Sequence, residues 1–129
     1  MSTEKRQVEG LVVKLLHHKR TDRGMMLASF ETRCVQRGEI HELVSTDHAG
    51  TNPGDRIDRV GFLCFLEITR AGVIEIGDSF CHHGETLGRV IGFDESHFPN
   101  HYNILIGSET LLNAGDAALS VEDTITFQS

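Results

Sequence analysis

Residues 94–103, DESHFPNHYN in one-letter code, bring together side chains that proton transfer and metal binding use. A histidine exchanges a proton near neutral pH, and two neutral imidazoles with a carboxylate suit zinc, iron or manganese. Asparagines can orient a substrate or fix a histidine tautomer. We therefore predict a functional site in this loop, with His97 and His101 as catalytic residues or metal ligands. The predicted ligand-binding residues of the loop are Asp94, Asn100 and Asn103.

A plain turn between two strands explains part of this composition. Asp, Ser, Pro and Asn are residues that turns favour, and Pro99 fixes its own backbone angle. A turn does not require two histidines and Asn103 as well. The spacing of His97 and His101 matches no standard metal motif, so three interpretations stay open: a metal site, a metal-free acid–base site and a structural turn. The cofactor is accordingly unspecified, with a divalent transition metal as the candidate.

The segment CHHGE at 81–85 is a second concentration of polar side chains. A strand predicted over 86–94 separates it from the loop by roughly 25–30 Å, at about 3.3 Å per residue. The two histidine pairs therefore form one site only if that strand bends sharply. Counting strands as alternately up and down places the segment near a loop that holds His48. The resulting rival site comprises His48, His82, His83 and Glu85.

Arg59 is the predicted ligand-binding residue outside these two segments. It precedes the apolar middle of a strand predicted over 57–69 and would meet an anionic ligand there. A salt bridge with a neighbouring carboxylate is the favoured alternative for this arginine.

Strand signals dominate the elements that must position these residues. Segments rich in β-branched and large apolar residues alternate with turns such as TDRG and NPGD. Helical periodicity extends over no more than about two turns, and the one short helix predicted covers 109–114. The predicted strands are 8–18, 25–36, 39–45, 57–69, 73–76, 86–94, 101–108 and 124–128.

Glycine inside strand patterns predicts bulges or bends, as in a small closed barrel. The strand over 57–69 is nearly continuously apolar in its middle, which places Phe65 in the core. We expect one all-β domain over 1–129, a small closed or partly open antiparallel barrel of about six to eight strands, with a β-sandwich as the alternative. An uncovered edge strand would allow a homodimer. The candidate bulge positions are Gly10, Gly61, Gly88 and Gly92.

Composition narrows the classes of partner. The net charge of −7 argues against nucleic acid and anionic membranes, which select basic surfaces. The chain has no Trp and one Tyr, too few aromatic rings for a base-stacking platform. No apolar run approaches the ~20 residues of a membrane helix. Three cysteines without a CxxC pair fit a reducing compartment, so we expect a cytoplasmic protein.

Three functions from different classes remain, and the residues leave open whether the protein is an enzyme. The first, which we favour, is an enzyme or binding protein for a small polar metabolite at residues 94–103. The second is a non-catalytic accessory or partner-binding subunit, and the third is a histidine-based metal or pH sensor. The first predicts that His97 and His101 line a concave pocket, whereas the second predicts a flat apolar patch.

Overall fold

The computed structural model describes residues 4–97 and 100–129, and within these residues it consists of β-strands and turns without a helix. Pro99, to which the turn interpretation gave a role, lies outside the described residues. The strands are β1 (Val8–Leu15), β2 (Lys19–Arg20), β3 (Met25–Met26), β4 (Thr32–Val35), β5 (Ile40–Thr46), β6 (Arg56–Ile57), β7 (Val60–Arg70), β8 (Gly72–Glu75), β9 (Ser79–His82), β10 (Glu85–Asp94), β11 (Asn103–Gly107) and β12 (Thr124–Gln128).

The main sheet has a ring-like pattern of hydrogen bonds. Its strands follow the order β1-β12-β9-β10-β11-β5-β7-β2, and β7 also pairs with β1. The all-β prediction is therefore confirmed, and the sheet fits a partly open barrel or the sandwich that was the alternative. One expectation is wrong: β11 pairs with β5 in parallel, while the other pairs of this sheet are antiparallel. The long chain between these two strands makes a parallel pairing possible.

Two hydrophobic clusters lie on opposite faces of this sheet. The inner cluster includes Phe80, Phe93 and Phe127, each at most 1% exposed to solvent. The outer cluster forms where the two-stranded β3–β6 sheet covers Val44 and Leu105. The alternation predicted for the strand over 101–108 holds in β11, since its isoleucines join the inner cluster and Leu105 joins the outer one. Polar side chains on the outer face consequently lie beneath the segment that includes β3.

A bulge in β10 determines which of its side chains reach the outer face. The register shifts between Val90 and Gly92, so Val90 and Phe93 both enter the inner core although they are three residues apart. Asp94 is thereby directed to the outer face. Register shifts also occur beside Gly10 and Gly88, as predicted. Gly61 has another role, because an added Cβ there would collide with the carbonyl of Leu112.

Several predicted elements are wrong in detail. The strand expected over 25–36 is two separate strands, β3 and β4, which pair in different small sheets. Strand β9 was missed, although it joins β12 to β10. The helix predicted over 109–114 is an irregular segment. Phe65 is half-buried and is absent from both apolar clusters, because it shares the outer face with polar neighbours.

Among the described residues, no helix is long and apolar enough to cross a membrane.

We predict that Phe93→Ala lowers the free energy of unfolding by about 3–5 kcal/mol, because Phe93 is 0% exposed and packs against Phe30. Phe65→Ala is the matched control and should cost less, since that ring is half-buried. Urea unfolding of both variants measures the difference. Equal losses would show that the two faces of the sheet are assigned wrongly.

Candidate functional site

Three polar side chains form a row across the outer face of neighbouring strands. Asp94 at the end of β10 lies opposite Asn103, which opens β11. Asn103 in turn lies opposite Glu42 of β5. Because directly opposed residues on paired strands share a face, the three side chains point the same way. At about 4.8 Å between strands, the two acidic residues are roughly 10 Å apart at the backbone, with the amide between them.

Asp94 holds this end of the row by accepting several hydrogen bonds. Its Oδ1 accepts from the Asn103 amide at 3.0 Å, from the Ser96 backbone N–H at 3.0 Å and from the Ser96 hydroxyl. Its Oδ2 accepts from the backbone N–H of Met26 at 3.0 Å. The carboxylate therefore joins three parts of the chain: β11, its own loop and the covering strand β3.

These hydrogen bonds keep Asp94 ionised. Burial alone would raise its pKa, but the donors from Ser96, Met26 and Asn103 outweigh burial, and the pKa lies below its ordinary value. Because Asp94 already accepts at both oxygens, its role is to position Asn103 and the loop.

Three buried polar atoms in this region have no hydrogen-bond partner among the described residues: Glu42 Oε1, Asn103 Oδ1 and His101 Nε2. Asn103 is 0% exposed, and Glu42 and His101 are each 8% exposed. A buried polar group left without a partner costs about 1–3 kcal/mol. Three such groups together fit a site where a ligand or an ordered water supplies the missing partners.

The pKa of Glu42 lies above its ordinary value. Burial raises its pKa, the negative charge of Asp94 raises it further, and Arg23 acts in the opposite direction. The two acids on either side of Asn103 therefore have pKa values displaced in opposite directions. Such a pair is the usual arrangement by which one fold keeps a proton donor and a charged carboxylate at the same pH.

His101 lies between the row and the exposed part of the loop. Its ring meets Phe65 edge-on at 5.2 Å and stacks with His97 at 5.0 Å between centroids. The amide N–H of Asn100 donates to His101 Nδ1 at 3.0 Å, so the neutral ring carries its hydrogen on Nε2. Burial lowers the pKa of His101, the neighbouring His97 and His41 rings lower it further, and a polar contact with Asn103 opposes them. His101 is thus a neutral ring that presents a buried N–H.

Arg23 supplies the positive charge near the row. Its guanidinium donates to the Ser96 hydroxyl and to His97 Nε2, both at 3.3 Å. Ser96, His97 and Asn100 are exposed, whereas Asp94, Asn103 and His101 are buried. The buried groups therefore lie beneath exposed loop residues, and Arg23, which binds the loop, is close enough to lower the pKa of Glu42.

Arg59 lies outside this cluster. It forms a bidentate salt bridge with Asp47, in which Nε donates to Oδ1 at 3.1 Å and Nη2 donates to Oδ2 at 2.9 Å. Its backbone N–H donates to His48 Nε2. This is the salt bridge that sequence reasoning gave as the alternative to ligand binding. Asp47 and His48 border an open cleft of about 810 Å³, together with Arg89 of β10. None of the predicted loop residues lines that cleft, so the pocket expected at His97 and His101 is not this one.

The rival site is assembled differently from the prediction. His82 and His83 lie together, with ring centroids 3.9 Å apart, and their carboxylate neighbour is Asp123. Glu85 pairs with His82 across the hairpin but is exposed. His48 contacts Arg59 instead.

Sequence reasoning missed Glu42, Arg23, Ser96 and Asp123. For Glu42 the sequence held a signal. An acidic residue within a strand of buried residues is itself expected to be buried, and buried acids are rare unless they have a role or a partner. For Arg23 and Asp123 no local signal existed. Their partners lie 74 and 41 positions away in the chain.

The chain is a small all-β protein with a cluster of buried polar side chains on the outer face of its sheet. The chain belongs to the Family of unknown function (DUF6917), whose model matches residues 2–128. No curated protein and no solved structure matches the chain.

We predict opposite pH dependences for two isosteric variants. Because the pKa of Glu42 is raised in the folded protein, ionising this side chain destabilises the fold. The wild-type protein therefore loses stability as pH rises above about 4.5 and through the folded-state pKa. Glu42→Gln should therefore gain stability relative to the wild type as pH increases. Urea unfolding at a series of pH values measures this gain, and a constant difference would contradict the burial of an acidic proton.

Asp94→Asn should behave in the reverse sense. The lowered pKa of Asp94 contributes stability that is present above about 3.8 and is lost as pH falls through the folded pKa. At pH 7 the variant should be about 1–3 kcal/mol less stable than the wild type, because buried donors lose their acceptor. The deficit should shrink in acid. A deficit that persists unchanged at low pH would mean that packing, not charge, is responsible.

Proposed function

We propose that the protein binds a small polar metabolite at the Glu42–Asn103–His101 cluster and donates a proton to it. The observation that carries this proposal is that Glu42 Oε1, Asn103 Oδ1 and His101 Nε2 are all buried and make no hydrogen bond of full geometry. Burying them is costly to the folded protein, and a ligand offering complementary groups would remove the cost. The sequence prediction of a site at residues 94–103 is thereby extended to Glu42.

The available groups specify the chemistry of the ligand. His101 offers an N–H, protonated Glu42 offers an O–H, and Asn103 offers a carbonyl oxygen. Two donors suit a carbonyl or carboxylate oxygen, and the single acceptor suits an adjacent hydroxyl or N–H. Small hydroxy acids, amides and related carboxylates have this pattern. Arg23 adds a positive charge that favours an anion.

The same groups would assist a reaction at that oxygen. A neutral imidazole N–H and a carboxylic acid both stabilise negative charge that develops on a carbonyl oxygen. Glu42, whose pKa is raised by burial, is the group that would transfer the proton. His101 in this arrangement acts as a donor, a different role from the general base considered for the loop histidines.

Metal-free chemistry is better supported than a metal held by His97 and His101. The guanidinium of Arg23 lies 3.3 Å from His97 Nε2, where it would repel a metal cation. Asn100 donates to the second nitrogen position, Nδ1 of His101. The nearest carboxylate of the loop, Asp94, already accepts at both oxygens.

A cytoplasmic location is part of the same proposal. All three cysteines are free, with Cys34 exposed and Cys64 and Cys81 buried. Burial, followed by the nearby charge of Glu42, raises the pKa of the Cys64 thiol to about 12. Thiols left unpaired in this way suit a reducing compartment.

We predict that a panel of small carboxylates, amides and hydroxy acids contains compounds that stabilise the wild-type protein and not His101→Phe. Phenylalanine keeps the ring packed against Phe65 and removes the N–H. At a ligand concentration of about 100 Kd, the free energy of unfolding should rise by about 2.7 kcal/mol. Thermal unfolding with and without each compound measures the effect.

His48→Phe is the matched control, since His48 borders the separate cleft. Loss of ligand binding in His101→Phe with retention in His48→Phe supports the proposal. The opposite pattern would place the ligand in the cleft and contradict it.

Ligand affinity should depend on the protonation of Glu42. If the acid must be neutral to donate, affinity falls as pH rises through its raised pKa, and Glu42→Gln removes that dependence because an amide donates at every pH. Calorimetric titration at several pH values makes the comparison. Equal pH profiles for the two proteins would contradict the assigned role of Glu42.

A further inference from the structure

A second group of chemically active side chains lies at the far end of β10. Strand β9 ends at His82, and its hairpin partner β10 begins at Glu85. The intervening turn has two residues, both with left-handed backbones: φ is 52° at His83 and 79° at Gly84. This is the geometry of a tight hairpin turn, which glycine or asparagine adopts more readily than histidine.

The turn places two neighbouring histidines on one side of the chain. On an extended strand their side chains would face opposite ways. Here the left-handed residue folds the His83 ring onto the His82 ring, with centroids 3.9 Å apart and planes inclined by 24°. Imidazole nitrogens are the commonest protein ligands of transition metals, and the turn brings two of them together.

Asp123 completes the group from a distant part of the chain. It directly precedes β12, whose Ile125 pairs with His82. Asp123 Oδ2 is 2.8 Å from His82 Nε2, and Oδ1 is 3.9 Å from His83 Nε2. The backbone N–H of Ser120 also donates to Oδ2 at 2.8 Å, which fixes the carboxylate.

The spacing of these three ligand atoms suits a transition metal. They all lie within 4.8 Å of one another, the one such group of histidine, cysteine and acidic side chains in the described part of the chain. Bonds of about 2.0–2.1 Å arranged tetrahedrally put neighbouring ligand atoms roughly 3.3 Å apart, which lies within the 4.8 Å that separates the three atoms at most. Two imidazoles and one carboxylate suit zinc and similar divalent ions, and leave a coordination position open.

Exposure provides a route for the ion. The His82 side chain is 5% exposed and that of Asp123 is 18% exposed, whereas His83 is 70% exposed. Two ligands are thus held by the sheet, and the third faces solvent, where it can close over an arriving ion. The ten residues of β10 place this cluster up to about 30 Å from Asp94, so it is independent of the site described above.

We propose that His82, His83 and Asp123 bind a divalent transition metal ion of the zinc class. The metal predicted from sequence for the loop histidines belongs, on this proposal, to the other histidine pair. Asp123, which sequence reasoning did not select, supplies the carboxylate that Glu85 was expected to provide.

The test is calorimetric titration of the untagged full-length protein with Zn²⁺, beside His83→Asn and Asp123→Asn. Asparagine tolerates the left-handed turn and lacks the imidazole, so His83→Asn removes a ligand without straining the hairpin. His18→Asn is the control for histidine number, because His18 is exposed and outside the cluster. We expect one Zn²⁺ per chain, affinity at least ten-fold weaker in both site variants, and unchanged affinity in the control.

The contrary results are specific. An absence of stoichiometric binding to the wild-type protein would overturn the proposal. So would binding that survives both site variants, since it would then arise from exposed histidines in general. Thermal unfolding with Zn²⁺ gives a second readout: the ion should raise the melting temperature of the wild type and of His18→Asn, and not that of Asp123→Asn.

Discussion

The register across β10, β11 and β5 is the constraint on which the site depends. It places Asp94, Asn103 and Glu42 in one row on the outer face of the sheet. The bulge beside Gly92 sets this register, because without the extra residue Asp94 would turn into the inner core and an apolar side chain would turn outward. The apolar requirement of the inner core therefore fixes the position of the acid. The hydrogen bond from Met26 to Asp94 then attaches the covering strand to the sheet, so the same carboxylate serves both the fold and the site.

Burial gives the members of the row different electrostatic characters. Asp94 is surrounded by donors that lower its pKa, whereas Glu42 lacks a partner at Oε1 and has a raised pKa. Asn103 connects the two, since it donates to the charged acid and leaves its carbonyl oxygen without a partner. His101 adds a neutral N–H beside it. Asn103 and His101 touch without forming a hydrogen bond of full geometry, and Glu42 Oε1 has no partner, so the three atoms favour a role in binding.

Local patterns in the sequence predicted the parts of this structure that depend on neighbours in the chain. The alternation around Ile104, the glycine bulges and the polar loop at 94–103 all follow from such patterns. Pairings between distant segments were beyond them. The parallel β5–β11 pair brings Glu42 beside Asn103, and the β9–β12 pair brings Asp123 beside His82. The strand-parity argument behind the rival site left out β9 and divided the chain into too few strands, so it did not bring Asp123 beside His82.

The most direct measurement is a carbon-13 NMR titration of the side-chain carboxyl groups of Glu42 and Asp94 in the folded protein, with each signal assigned from its Glu42→Gln or Asp94→Asn variant. The account predicts that Glu42 titrates above its ordinary pKa and Asp94 below its own, so that the row holds one neutral and one charged acid over a range of mildly acidic pH. Two ordinary titrations would mean that solvent reaches both groups, and a reversed order would mean that the proton resides on Asp94. Either result would contradict the proposed division of roles.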